Sequence, residues 1–315
     1  MAVADNSGKN GALRNRGVRS GKNGILDDLG AYLYIIPATA VLVVFHFFPA
    51  FYAAYISLFN TNLLGRWNFI GAGNYIEMFS DPDFLVSVKN TLVYVLGTVP
   101  TGLALALAIA YLLNQKIRGS GFFRTSYFLP YVTPVVAISI VWMWIYKEDS
   151  SGMLNSILNM FGISGEKWLL DPKWSMFALV VMSVWRHLGY NIIIFLAGLQ
   201  NIPQEYYDAA AIDGARGWKL FSHITWPLLS PTTYFLTIIS IIGSFQVFTQ
   251  AYVLWPGGGG GPLKTTLVVV KYLYDVGWGE FRFGYAAAIG YFLFFVIFLL
   301  TLIQRKMLGK KVYYQ

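Results

Sequence analysis

The chain contains no cysteine. That excludes disulfides, thiolate metal sites and cysteine nucleophiles together, and leaves the redox compartment open. Charge is scarce as well. Asp, Glu, Lys and Arg make up 12% of 315 residues, too few to cover the surface of a soluble protein of this length. Histidine occurs only as His46, His187 and His223, in three separate segments, and neither His-Glu-x-x-His nor Gly-x-Ser-x-Gly is present. Metal-assisted and nucleophilic hydrolysis lack their usual constellations, which argues against a membrane enzyme and leaves packed or interfacial histidines as the simpler reading. A phosphate-cradling loop is also missing. It requires two glycines with four residues between them, then Lys and Ser or Thr. Gly17 and Gly21 stand closer, and Lys22 is followed by Asn23; the run 257–261 is followed by Pro262 and Leu263. If ATP drives this protein, another chain binds the nucleotide.

What is abundant is apolar and aromatic. Hydrophobic residues make up 56% of the chain, with 21 Tyr and 10 Trp, a composition suited to spans bordered by aromatic belts. Six apolar segments reach the roughly 20 residues that a bilayer crossing needs: 29–59, 91–113, 122–145, 174–199, 232–255 and 284–303. A lone strand cannot satisfy its backbone in lipid, so all six are read as helices of an all-α integral membrane protein. Pro37, Pro49, Pro100, Pro130 and Pro134 fall inside these segments and predict kinks more than ends. The first segment follows a basic stretch but is too long for a signal peptide, and is read as a retained span.

The net charge of +8 does not indicate nucleic acid, because the bases lie in a tail and in short gaps rather than on one solvated face. Their distribution reads as topology. With the N-terminus inside, fourteen Lys and Arg fall on the inner side and eight on the outer, Arg186 lying within a span. This predicts N-in and C-in, with 114–121 and 200–231 cytoplasmic. Residues 1–28 repeat Ser-Gly-Lys-Asn-Gly and read as a disordered basic tail near anionic lipid. The expected organisation is thus a tail over 1–28, a membrane domain over 29–308 and a second tail over 309–315.

The segment 200–231 carries the most information. Pro203 suits the first turn of a helix. Glu205 and Asp208 favour its positive N-terminal end. Ala209, Ala210 and Ala211 are strong helix formers, and Gly214 is a helix terminator. A second short helix is expected over 218–223. Two short helices with a small, acidic face at the membrane surface suit a groove on a partner protein. An ordinary interfacial helix explains the amphipathicity but not that face.

This segment resembles the EAA signature of permease subunits in binding-protein-dependent ABC importers. The resemblance rests on Asp208-Ala209-Ala210, Gly214 after three intervening residues, and Ile224 and Pro227 after nine more. Asp208 stands where Glu is usual, and Trp226 where Leu usually precedes the proline. A second likeness, to the carbohydrate-uptake branch, rests on Phe245-Gln246-Val247-Phe248, Tyr252, the 257–261 glycines, Pro262, Thr265 and the 272–274 stretch. Together with the six-span layout, the two likenesses cover about residues 30–310. The family implies a type I importer permease fold, a second similar permease, two ATPase subunits that bind ATP and Mg, and an external solute-binding protein. It places ATPase coupling on Glu205, Asp208, Ala209, Ala210, Asp213, Gly214, Arg216, Ile224 and Pro227, and no cofactor in this chain. Bacterial inner membrane follows as the location.

Carried over from maltose-type relatives, the implied cargo contacts are Tyr190, Ser240, Gly243 and Ser244, with Gln246 and Phe248 as neighbours. For the two serines, a helix–helix hydrogen bond is an equally good account. A charge at mid-span costs roughly 2.5–3.5 kcal/mol, so Arg186 is expected to pair or to line water. It precedes Tyr190 by one turn. It is read either as a cavity group toward an anionic solute or as a structural pair near the outer interface, a boundary that Trp174 and Trp185 suggest. A stand-alone secondary transporter is the competing function, but that class more often carries intramembrane acids, and the six segments hold no Asp or Glu.

Overall fold

Two Asp-Pro dipeptides set where the longest helices begin. Asp81 and Asp171 are N-caps with proline at the first helical position, where the absent N–H is not needed. Asp81 Oδ1 accepts from the N–H of Asp83 at 2.9 Å, and Asp171 Oδ1 from that of Lys173 at 2.8 Å. The computed structural model describes residues 34–61, 65, 67–115, 120–257 and 259–308. The tails at 1–28 and 309–315, and the start of the first span at 29–33, lie outside the described residues.

The chain divides into two units, 1–52 and 53–315. In the first, the described residues are helical, with a π-helical turn at Val43–Phe47, and every one of them is exposed. The second unit holds a short antiparallel hairpin, Phe59–Thr61 with Trp67–Phe69, and the remaining helices. Labelled in chain order, α1 is Gly73–Ser80, α2 Pro82–Leu113, α3 Ser120–Val132, α4 Val135–Ile145, α5 Met153–Met160 and α6 Pro172–Gln200. Then come α7 Gln204–Ile212, α8 Trp218–Leu228, α9 Ser230–Phe245, α10 Thr249–Leu254, α11 Val269–Tyr274 and α12 Phe283–Leu308.

Among the described residues, four helices are long and apolar enough to cross a membrane: Tyr34–Ile56, α2, α6 and α12. Two bent pairs raise the number to six if each pair is one span. The second expected span begins at Pro82 rather than at 91, because the Asp81 cap starts the helix under a polar turn that hydropathy does not see. With 32 residues α2 is about 48 Å long, well beyond a ~30 Å hydrocarbon layer, so it tilts or projects.

The third span is not a kinked helix. It stops at Val132, restarts at Val135 and turns by 106°. Pro130 is accommodated inside α3, whereas Pro134 becomes the N-cap of α4. The fifth expected span also stops early. Helix α9 ends at Phe245, Gln246–Phe248 leave the helical path, and α10 follows as a separate short helix.

Two apolar clusters hold the second unit together. One joins Phe84, Tyr94, Leu179, Met182, Phe245, Val268, Tyr285 and Ile289, all buried. The other joins Ala106, Ala110, Ile192, Phe195, Leu199, Leu229 and Leu236. Small residues let the backbones approach, as in other membrane bundles. A Cβ added at Gly189 would overlap the carbonyl of Tyr127, so α3 lies directly on α6 there.

Candidate functional site

A cavity of about 330 Å³ opens between α2, the α3–α4 break, α6 and the end of α9. Helix α6 contributes Arg186, His187, Tyr190 and Asn191; α9 contributes Ser240, Gly243 and Ser244; the non-helical stretch after it contributes Gln246 and Phe248. The seven residues expected from sequence at a cargo site therefore share one cavity.

Both helix breaks reach this cavity. Tyr131 and Val135 flank the first, and Gln246 to Phe248 form the second. Backbone that leaves the helix at membrane depth is tolerated where it is buried in protein or lines a water-filled space. Interrupted helices at such depth are where membrane transporters hold their solutes.

The lining is aromatic and polar. Tyr131 stacks on Tyr190 with centroids 4.8 Å apart and planes 21° from parallel. Phe248 meets Tyr252 at 5.3 Å and Tyr274 at 5.1 Å, extending the aromatic surface beyond the cavity. Ser244 Oγ lies 3.4 Å from Thr98 Oγ1, a long contact between α9 and α2. The helix–helix account of Ser244 thus has some support, while no such partner accompanies Ser240 among the contacts seen. At Gly243 an added Cβ would meet nothing, so the space beside it is open.

Arg186 sits at the middle of α6. Its Nη1 lies 3.1 Å from His187 Nε2, and His187 Nδ1 lies 2.8 Å from the Ser183 carbonyl. A carbonyl can only accept, so Nδ1 carries the proton and Nε2 accepts from the guanidinium. The guanidinium carbon is 5.8 Å from the Tyr131 ring centre, within cation–π range. Arg186 Nε is buried without a partner. The ion pairs seen among the described residues do not include Arg186, whose structural partners are His187 and the Tyr131 ring.

Tyr131, His187, Asn191, Tyr94 and Thr98 were not foreseen as lining residues. Tyr131 had a readable signal, since it stands between Pro130 and Pro134, where proline disrupts the helical hydrogen-bond ladder. The others sit at helical spacing with no distinguishing pattern. Among the described residues no group of three or more His, Asp or Glu is placed to hold a metal ion.

The 200–231 segment is a separate surface. Pro203 is the N-cap of α7 rather than its first helical residue. Gly214, at φ +75°, closes the helix. Its N–H donates to the Ala211 carbonyl at 3.1 Å, and that of Ala215 to the Ala210 carbonyl at 2.9 Å. This is the Schellman arrangement, which needs a left-handed residue at that point. Helix α8 does not stop near His223. It passes through a π turn at Phe221–Thr225, reaches Leu228 past Pro227, and bends 65° into α9.

Glu205, Asp208, Ala209, Asp213, Gly214 and Arg216 are exposed, and Ile224 and Pro227 are half-buried. Ala210 is turned inward, one turn from Tyr207, whose hydroxyl lies 3.3 Å from Thr225 Oγ1 and ties α7 to α8. The small face therefore consists of Ala209 and Ala211, flanked by Ile212, which is 88% exposed.

Broken spans around a polar cavity, with an exposed helical elbow attached to one of them, define a solute-transporting membrane subunit. Residues 99–312 match the family model described as "Binding-protein-dependent transport system inner membrane component". The chain belongs to this family, and is a multi-pass inner-membrane permease of the ABC transporter class. It is 38% identical over 279 residues to the arabinooligosaccharides transport system permease AraP of Bacillus subtilis, covering 88% of each chain. It is 37% identical to the lactose permease LacF of Rhizobium radiobacter, covering 88% of this chain and 93% of the relative. It is 34% identical to the sn-glycerol-3-phosphate permease UgpA of Agrobacterium fabrum, covering 90% and 96%. Among solved structures, a bacterial ABC transporter that imports alginate superposes with a TM-score of 0.81 at 22% identity, over 91% of this chain and 98% of the other.

Proposed function

We propose that this chain is one of two permease halves of an ATP-driven importer for a sugar, oligosaccharide or related polyol. It has six spans, with the two bent pairs each counted once, and both termini are cytoplasmic. The membrane domain runs over 29–308 between the two tails. Cargo arrives from an extracytoplasmic solute-binding protein and passes through the cavity lined by Tyr190, Ser240, Gly243, Ser244, Gln246 and Phe248. Hydroxyl and amide groups beside stacked aromatic faces are the partners that a sugar requires. Relatives whose names specify arabinooligosaccharides and lactose support that cargo class.

ATP and Mg belong to two separate ATPase subunits. Residues 205–227 dock on them, with Ala209, Ile212 and Trp218 supplying the exposed apolar contact and Asp208 and Asp213 the charge. Because α8 runs directly into α9, movement of the elbow is transmitted to Ser240 and Ser244 in the cavity. ATPase closure thereby turns the permease pair from inward- to outward-facing.

The observation that carries this reading is the convergence of both helix breaks on one polar cavity. Proteoliposomes containing the full complex should take up sugar only with internal ATP. Uptake sustained by an ion gradient without ATP would reject the importer and favour a secondary transporter.

A further inference from the structure

We propose that Arg186 is an anion-recognition residue, and that the cargo of this permease is a sugar bearing a carboxylate or phosphate. The inference rests on the transporter reading above and specifies its substrate class.

Arg186 carries a full charge at the centre of a 29-residue apolar helix. A guanidinium there is expensive unless it is paired. Its neighbours answer that charge only in part. His187 accepts one hydrogen bond as a neutral imidazole, and the Tyr131 ring offers a cation–π contact at 5.8 Å. Neither carries negative charge. Among the described residues no Asp or Glu lines the cavity, and the one permanent charge among them there is the positive one on Arg186.

The arrangement leaves a planar donor group, already oriented by His187 and Tyr131, facing a space into which Tyr190, Ser240 and Gln246 also project. Arginine presents paired N–H groups that match a carboxylate or phosphate two at a time. In a cavity of low dielectric such a pair is worth more than at a surface. A neutral sugar could use the hydroxyl and aromatic partners but would leave the charge unanswered. An acidic one completes it.

The test is saturation-transfer NMR on the full complex in nanodiscs with three probes: trigalacturonate, glycerol 3-phosphate and arabinotriose. At least one charged probe should bind, more weakly as salt rises. Arg186→Gln should weaken that probe at least about ten-fold, the loss expected for a charge-assisted hydrogen bond, while Arg186→Lys retains part of it. Arabinotriose should respond little to either change. Binding by trigalacturonate alone assigns a uronate, by glycerol 3-phosphate alone a phosphate. The proposal is overturned if neither charged probe binds, or if Arg186→Gln leaves their binding unchanged or lowers only the melting temperature of the complex. ATP-driven uptake of any solute keeps the importer reading intact when this inference fails.

Discussion

The Tyr285 hydroxyl donates to Asp81 Oδ2 at 2.6 Å, joining the cap of α2 to the first turn of α12. Tyr272 of α11 donates to the same oxygen, and Oδ1 accepts the N–H groups of Asp83 and Phe84. One carboxylate thus fastens the ends of three helices. Burial pushes its pKa up, but the Tyr272 and Tyr285 hydrogen bonds and the two backbone N–H groups outweigh that and hold it below the ordinary 3.8. The stability it adds is therefore complete above the ordinary value and is lost as pH falls through the lower folded value. Asp81→Ala should cost about 2 kcal/mol near neutrality, from the cap and the charged hydrogen bonds together. Thermal unfolding in detergent from pH 7 to pH 3 should show the gap between the two proteins closing only at the acid end.

Gly189 offers a steric test. A methyl there would overlap the Tyr127 carbonyl, and backbone cannot retreat as a side chain can. Gly189→Ala should separate α3 from α6 and cost about 1–3 kcal/mol, the range for overpacking. It should also lower cargo uptake, because Tyr131 on α3 and Tyr190 on α6 form the stacked pair in the cavity. Gly243→Ala is the control. Its Cβ has open space, so the fold should be unaffected, and only uptake of a cargo that fills that space should fall.

Much of this was legible beforehand because hydropathy and turn chemistry are local. The four long spans and the Gly214 terminator follow from short-range pattern, whereas Tyr190, Ser240, Gly243 and Ser244 are singled out by the likeness to maltose-type permeases and Arg186 by its charge within a span; the structure brings these residues to one cavity. The 106° break before Pro134 did not, since a proline inside an apolar run gives the same pattern whether the helix bends or restarts. The outcome depends on whether neighbouring backbone lines a cavity. The early start of α2 was missed because Ser87, Lys89 and Asn90 lower the hydropathy of a turn that the Asp81 cap makes helical. Arg186 was open in sequence for a related reason. Whether a charge finds a carboxylate depends on tertiary neighbours.

The elbow at Gly214 gives the clearest functional separation. At φ +75° a side chain is strained, costing about 1–3 kcal/mol, and nothing lies near an added Cβ, so the damage is conformational rather than steric. Gly214→Leu should unwind the Schellman closure and misdirect α7, which carries Asp208 and Ile212 on the surface proposed to dock the ATPase. Transport and cargo-stimulated ATP hydrolysis should then be abolished while the ATPase subunits still bind nucleotide. Ile212→Asp should have the same effect without touching the backbone, because that side chain is 88% exposed and contributes little to the fold of this chain. Co-purification of the ATPase with each variant is the measurement. If both variants retain the ATPase and full transport, the elbow is not the coupling element.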